Sequence, residues 1–285
     1  MLKQILRLEI RKALRNKLFY ISILLGGVIT MLSFFYNVEY YQQDFLIMKQ
    51  GNSNPMYAAS SLFNLWIGGE PFSLGTSIYF FVFPLLVAIP YGWSYCEEKQ
   101  NGYIRAVVVR SGKMAYFLSK YIAVFLSGGL AMIIPLIFNF LLTAMFVPAV
   151  MPDPLYCTSN GVFFESLMSM IYYTKPFLYV LLYLFIDFLF GGLIACLSFS
   201  VACFVRHRTI VVILPFFILL AFHYLRQFIY TSSTIRYKEL SPIYFLRPVA
   251  AMYPAAWSVI LVEAVLLILI TLFFSMIWER RHEIY

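Results

Sequence analysis

The chain has 285 residues, of which 62% are hydrophobic and only 12% are charged, and its mean hydropathy is +0.82. A soluble domain is nearer half apolar and a quarter charged, so this composition excludes an ordinary soluble protein and indicates a membrane protein. The net charge of +8 raises the question of a nucleic-acid partner. The basic residues lie at the ends of apolar runs, which is typical of topology signals and of contacts with anionic lipid. We therefore expect membrane lipid, and no nucleic acid, as a partner.

The first 17 residues form a basic amphipathic segment. Its basic side chains recur at every fourth position, opposite leucine and isoleucine residues, and comprise Lys3, Arg7, Arg11 and Arg15. This pattern predicts an interfacial helix lying in the headgroup plane. Glu9 falls near the apolar side of that helix, where we expect it to pair locally with Lys12, three residues further on.

Six apolar segments that are poor in charge predict six transmembrane helices. They span residues 18–38, 71–95, 121–147, 176–205, 209–225 and 255–278. Prolines fall inside the second and third segments, and Gly191-Gly192 inside the fourth is a point at which that helix could kink. Prolines also interrupt residues 226–254, which predicts a re-entrant segment between the fifth and sixth spans. The expected fold is a single all-α polytopic membrane domain covering residues 1–285.

The distribution of basic residues predicts the orientation. With both termini inside, 15 of the 21 lysines and arginines fall in cytoplasmic segments, and such an excess is the usual signature of the cytoplasmic side. We therefore expect both termini in the cytoplasm. We also expect a multi-pass protein of the plasma membrane, of bacterial origin.

The longest cytoplasmic segment, residues 96–120, is both basic and patterned. Apolar residues recur there at helical spacing with arginines on other faces, and Gly102 and Gly112 bracket the pattern as helix breakers. A short amphipathic helix below the membrane would be a docking element that receives mechanical force. The alternative is a plain connecting loop whose charges only fix topology, and periodicity alone slightly favours that alternative.

Two ionisable residues, Asp187 and Glu263, fall inside predicted spans. Charges at such positions are costly and mark either a transport pathway or a polar contact between helices. Neither has a basic neighbour in its span, so we favour the polar contact and keep the pathway as an alternative.

No catalytic or metal-binding motif is complete in the sequence. The pair Glu97-Glu98 is similar to the glutamates of membrane-embedded prenyl-protein proteases, but Gly102 stands where their motif requires arginine. Ser111-Gly112-Lys113 resembles the end of a phosphate loop, but it lacks the earlier glycine and the following serine or threonine. We expect no enzymatic activity and no cofactor bound by the chain itself.

The combination of a basic interfacial helix, six spans and a patterned second-to-third loop resembles the permease subunits of type-2 ABC exporters. The loop residues that carry the resemblance are Glu98, Gly102, Arg110, Lys113 and Lys120. The resemblance implies that two permease chains, identical or different, face each other. It also implies a separate cytoplasmic ABC ATPase dimer that binds ATP and magnesium and into which the loop docks as a coupling helix. The expected cargo is an amphipathic peptide, lipid or drug-like molecule.

This resemblance assigns the ATPase-coupling role to one set of loop residues. They are Glu97, Glu98, Gly102, Tyr103, Ile104, Arg105, Val107, Arg110 and Lys113. Within the set we expect Tyr103, Ile104 and Val107 to fill a groove on the ATPase and the charged residues to contact its rim.

Two other functions remain open from the sequence. One is an ion-coupled secondary transporter that uses Asp187 and Glu263, although the chain shows no internal repeat of the kind that such folds often contain. The other is a membrane scaffold or immunity protein that binds an amphipathic peptide without transporting it.

Overall fold

The computed structural model describes residues 2–51, 59–229, 238–249 and 253–281, and within these ranges the chain is helical and contains no β-strand. The helices, in chain order, are α1 (Leu2–Arg15), α2 (Lys17–Lys49), α3 (Leu62–Leu65), α4 (Leu74–Ala88), α5 (Ser94–Gln100), α6 (Tyr103–Ser111), α7 (Lys113–Ala144), α8 (Cys157–Asn160), α9 (Ser169–Thr174), α10 (Pro176–Phe204), α11 (Arg208–Ile229), α12 (Pro242–Phe245) and α13 (Trp257–Arg281). The predicted all-α membrane fold is confirmed at this level.

Among the described residues, five helices are long and apolar enough to cross a bilayer, namely α2, α7, α10, α11 and α13. Their positions agree with five of the six predicted spans. The remaining predicted span, 71–95, which is the second in chain order, contains α4, which has only 15 residues. At 1.5 Å per residue α4 is about 22 Å long, which is shorter than the hydrocarbon core of about 30 Å. Six full spans therefore remain a prediction.

The bounds of α2 and α4 differ from the prediction for local reasons. Helix α2 continues 11 residues beyond 38, because the segment that follows the apolar run contains no proline or glycine before Gly51. Helix α4 ends at Ala88, two residues before Pro90, because proline lacks the N–H group that would continue the helical hydrogen bonding. Pro84 is accommodated inside α4.

The core of the fold is the crossing of α7 and α10, and it depends on four glycines. A Cβ atom on Gly128 of α7 would lie 2.3 Å from the Cβ of Ala195. One on Gly191 of α10 would lie 2.7 Å from the Cβ of Met132. Gly129 and Gly192 are equally confined by phenylalanine side chains of the opposite helix. Small residues thus let the two backbones approach closely, and α10 remains helical through Gly191-Gly192.

The two ends of the helical bundle differ in structure. At one end, which we call the basal end, α1, α5 and α6 lie together with the turn between α10 and α11, and the side-chain amide of Gln100 donates to the carbonyl of Arg206 at 3.0 Å. At the opposite, distal end, the segments before α4 and after α7 meet, and Leu62 donates to the carbonyl of Pro148 at 3.0 Å. This arrangement places the predicted cytoplasmic segments at one end and the predicted outer segments at the other.

The segment between α11 and α13 is packed against the bundle where it is described. Residues 241–249 are almost entirely buried, and α12 is a single helical turn. Phe245 packs against Phe190, 14 residues into α10, with ring centroids 5.1 Å apart. The predicted re-entrant stretch also includes residues 230–237 and 250–252, which lie outside the described residues.

Candidate coupling site

A buried carboxylate on the interfacial helix organises the basal end. The predicted basic stripe of α1 is exposed, whereas Glu9 and Ala13 on the opposite side are fully buried against α7. Glu9 forms the expected pair with Lys12 at 3.4 Å. It also accepts a hydrogen bond from the Tyr91 hydroxyl at 2.8 Å and contacts the Lys120 ammonium at 3.1 Å. Glu9 thus connects α1 to two parts of the bundle that are distant in sequence.

Lys120 is the second member of this arrangement, and it is buried. It lies two turns into α7, because that helix begins directly after Gly112 and not at residue 121 as predicted. Its ammonium contacts Glu9 at 3.1 Å and Glu98 at 2.8 Å and donates to the Tyr91 hydroxyl at 3.0 Å. A buried lysine needs close carboxylates to compensate its charge, and Lys120 has two.

Glu98 on α5 closes the network. Its two oxygens contact Lys120 at 2.8 Å and Lys12 at 3.2 Å, and the Tyr116 hydroxyl donates to the oxygen that faces Lys120. We call Glu9, Lys12, Glu98 and Lys120 the ion-pair cluster. It contains two negative and two positive charges, and it fastens α1, α5 and α7 to one another.

The pKa shifts of the two groups on α1 follow from these contacts. Burial alone would raise the pKa of Glu9, but the ammonium groups of Lys120 and Lys12 and the Tyr91 hydroxyl together hold it below the usual glutamate range. Partial burial would lower the pKa of Lys12, but contacts with Tyr103 and with the carboxylates of Glu98 and Glu9 raise it above the usual lysine range. Both shifts favour the charged forms, as expected for a paired network.

Helix α6 is present where the loop pattern predicted a helix. It begins after Gly102, whose φ is 70°, and ends at Ser111, before Gly112, whose φ is 83°, so both predicted breakers have the positive φ that favours glycine. Its two faces differ in burial. On the inner face Ile104 is buried, and Tyr103, Val107 and Val108 also pack against the protein's own core.

In this orientation Ile104 is buried, and the other two expected anchor residues, Tyr103 and Val107, are half-buried. Tyr103, Ile104 and Val107 were expected to face an ATPase groove, but the apolar stripe of α6 is already used to hold the helix against the bundle. The Lys12 ammonium also lies 3.8 Å from the centre of the Tyr103 ring. The surface left free on α6 consists of Arg105, Ala106, Val109 and Arg110, with Val109 87% exposed.

A cleft of about 580 Å³ lies beside the ion-pair cluster, between α1, α5 and α6. Its lining includes Lys12, Asn16, Tyr91, Trp93, Glu97, Glu98, Asn101, Gly102 and Tyr103. Glu97, which is half-buried, and Gly102, which is exposed, both line this cleft. Lys113 is half-buried and lies outside the cleft, at the first position of α7. The structure therefore brings most of the predicted coupling residues together at the basal end, and their role in coupling stays a prediction.

The two predicted intramembrane acids lie in different environments. Asp187 on α10 is fully buried, and neither of its oxygens has a hydrogen-bond partner in the part of the chain that the structure describes. The interhelical polar contact that we expected for Asp187 is therefore absent there. Glu263 is half-buried on α13, a helix whose surface is largely exposed.

Sequence reasoning missed the joining of Glu9 to Lys120 and the part played by Tyr91 and Tyr116. One signal was present, since Glu9 lies on the apolar side of an amphipathic helix. A carboxylate that is buried there requires a cationic partner. Lys120 was counted as a topology signal because the start of the third span was placed at residue 121.

A scan of protein-family models found no match to the chain, and a search of curated proteins found no significant match. The function therefore has to be inferred from the residues and their geometry.

Proposed function

We propose that the chain is the membrane-spanning permease subunit of an ATP-driven type-2 ABC exporter. The observation that carries this proposal is the ion-pair cluster, because it makes the predicted coupling loop a braced structure and not a free connector. A force applied to α6 would be passed through α5 to α1 and α7 as one unit. Rigid displacement of packed helices is a common way to convert a local event into a change of conformation.

The exposed face of α6 is the docking surface in this proposal. Val109 is the apolar centre, and Arg105 and Arg110 flank it as solvent-exposed charges. An exposed valine between arginines suits a groove with an apolar floor and an acidic rim. In this proposal the exposed face makes the contact with the ATPase dimer, and the partly buried stripe of Tyr103, Ile104 and Val107 holds α6 against the bundle.

The remaining parts of the proposal follow from the resemblance of the sequence. ATP and magnesium bind to the partner ATPase, and a second permease chain, identical or different, completes the pathway. The mostly exposed surfaces of α11 and α13 leave room for lipid and for that second chain. Both termini face the cytoplasm, and an amphipathic molecule leaves the cell through the plasma membrane.

Short α4 acts as the second of six spans in this proposal, and the buried segment around α12 acts as the re-entrant element. The contact of Phe245 with Phe190 supports the second assignment, since it places α12 level with the middle of α10. The length of α4, 15 residues, suits a position inside the bundle, where this helix packs against α2, α7, α10 and α11.

The test is co-purification of the tagged chain with an ABC ATPase from native membranes, followed by ATP hydrolysis with and without transported substrate. Val109→Glu should abolish ATPase binding, since it places a charge at the centre of the apolar contact. The matched control is Val150→Glu, an exposed valine at the distal end, which should leave binding unchanged. Full ATPase binding and coupling by Val109→Glu, or the absence of any ABC ATPase from the wild-type preparation, would overturn the proposal.

A second candidate function is ion-coupled secondary transport, and Asp187 is the observation that favours it. A buried carboxylate without a hydrogen-bond partner in the described chain is the kind of group that binds and releases a proton during transport. In reconstituted vesicles without ATP, this function requires substrate movement driven by a proton gradient and lost in Asp187→Asn. If export instead requires ATP and Asp187→Asn retains it within about tenfold, the exporter stands and this candidate falls.

A further inference from the structure

The distal end contains a cavity of about 390 Å³ that is separate from the coupling site. It lies between the C-terminal half of α2, the segment before α4 and the loop around α8. Its lining includes Tyr36, Asn37, Tyr40, Asn64, Glu70 and Phe163. Its volume falls within the range of pockets that hold small organic ligands.

Glu70 is the charged group of this cavity, and it is held in place. It is buried, and one carboxylate oxygen accepts hydrogen bonds from the backbone N–H groups of Phe72 and Ser73, the second at 2.6 Å. The other oxygen accepts from the Thr76 hydroxyl at 3.4 Å. The position of the negative charge is therefore fixed by the start of α4.

Asn37 supplies a polar atom that lacks a hydrogen-bond partner among the described residues. It is fully buried, and its amide nitrogen donates to the Ser33 hydroxyl at 3.1 Å. Its Oδ1 atom has no hydrogen-bond partner among the described residues. A buried polar atom of this kind is costly unless a ligand or water satisfies it, and Asn37 lines the cavity.

The other lining residues decide the sign of the ligand's charge. No lysine, arginine or histidine is among the described residues that line the cavity. Arg247 interacts electrostatically with Glu70, but its guanidinium lies over the rings of Phe80 and Tyr244 and borders a different, much smaller cavity. Four aromatic residues, Tyr36, Tyr40, Phe72 and Phe163, provide ring surface that attracts both apolar groups and cations.

We propose that this cavity binds an amphipathic organic ammonium ion. The ammonium group donates a hydrogen bond to Asn37 Oδ1 and is attracted by the Glu70 carboxylate, while the apolar part of the ligand lies against the aromatic rings. This site goes beyond the proposed export function, since binding requires neither the ATPase nor a second chain.

The experiment is a fluorescence titration of the purified full chain in nanodiscs with dansylcadaverine, a primary amine attached to an apolar fluorophore. Empty nanodiscs provide the background of probe dissolved in lipid. The wild-type chain should show saturable binding. The acetylated, neutral form of the same probe should bind at least about tenfold more weakly, because it lacks the charge that Glu70 attracts.

Glu70→Gln should weaken binding of the charged probe about tenfold while retaining the oxygen that accepts the two backbone hydrogen bonds. The matched control is Glu165→Gln, which removes an exposed charge at the same end but not from the cavity lining. Equal binding of the charged and neutral probes to the wild-type chain would overturn the proposal, whatever the folding of the variants. So would equal loss of affinity in the two variants. Either result would leave the export proposal untouched, because that proposal is tested by ATPase binding at the basal end.

Discussion

At the scale of single residues, the ion-pair cluster shows why a buried charge depends on its partners. Lys120 is fully buried and contacts two carboxylates, whereas the side chain of Lys12 is 36% exposed. Removing one member of a buried pair leaves the other charge uncompensated, while an exposed charge retains its contact with water. The two lysines should therefore differ in their importance for stability although they contact the same two glutamates.

Lys120→Met should lower the stability of the purified protein by about 3–5 kcal/mol, as is typical when a buried pair is broken. Lys12→Ala should have a smaller effect, because the ammonium of half-buried Lys12 retains contact with water, whereas that of Lys120 does not. Thermal unfolding in one detergent checks both. The double variant Glu9→Gln with Lys120→Met should recover part of the loss, since it also removes the uncompensated carboxylate. Strict additivity in this double-mutant cycle would contradict a direct Glu9–Lys120 interaction.

The lowered pKa of Glu9 predicts a dependence of stability on pH. Because the pKa is lower in the folded than in the unfolded chain, the stabilisation is fully present above the usual glutamate pKa. It is lost as the pH falls through the folded-state value. Unfolding midpoints measured from neutral pH downwards should therefore decline at acidic pH, and Glu9→Gln should reduce the decline. An identical pH profile for wild type and Glu9→Gln would show that Glu9 does not contribute.

At the scale of elements, the sequence predicted the long apolar segments, but it misplaced the ends of several of them. The bounds of α10 differ from the predicted fourth span by a single residue, because charges or prolines flank the apolar run on both sides. Hydropathy alone could not show that α2 continues to Lys49 or that α7 begins at Lys113. The extension of α2 contains no helix breaker before Gly51, and it also makes a tertiary contact, the hydrogen bond from Ser60 to Asp44 at 2.5 Å, that hydropathy does not reveal.

The coupling segment illustrates the same limit. A helix is present between Gly102 and Gly112, although periodicity alone slightly favoured a plain connecting loop there. Periodicity also cannot tell whether an apolar stripe faces a partner or the chain itself. Ile104 faces the chain, since α6 packs on α5 and α7. The pairing of Glu9 with Lys120 joins residues 111 positions apart, so it depends on the packing of α1 against α7.

The α7–α10 crossing offers a test at this scale. Gly128→Ala should destabilise the protein by about 1–3 kcal/mol, because the new methyl group would overlap Ala195 where two backbones meet. The matched control is Gly27→Ala in α2, where nothing lies within 4 Å of the added Cβ. That change should be neutral or stabilising by about 0.5–1 kcal/mol, since alanine is the better helix former. Similar thermal midpoints for the two variants would contradict close packing at Gly128.

At the scale of the whole molecule, the structure sorts the polar segments into two ends, and the sequence assigns those ends to the two sides of the membrane. Cysteine labelling tests the orientation after Cys96, Cys157, Cys196 and Cys203 have been replaced by serine or alanine. Arg110→Cys should be modified by a membrane-impermeant maleimide only after the cells are opened, because α6 belongs to the predicted cytoplasmic side. Glu165→Cys, exposed at the distal end, should be modified in intact cells. The reverse labelling pattern would invert the topology and place the α6 surface out of reach of any cytoplasmic ATPase. Labelling of both positions from outside would contradict the view that the membrane separates the two ends.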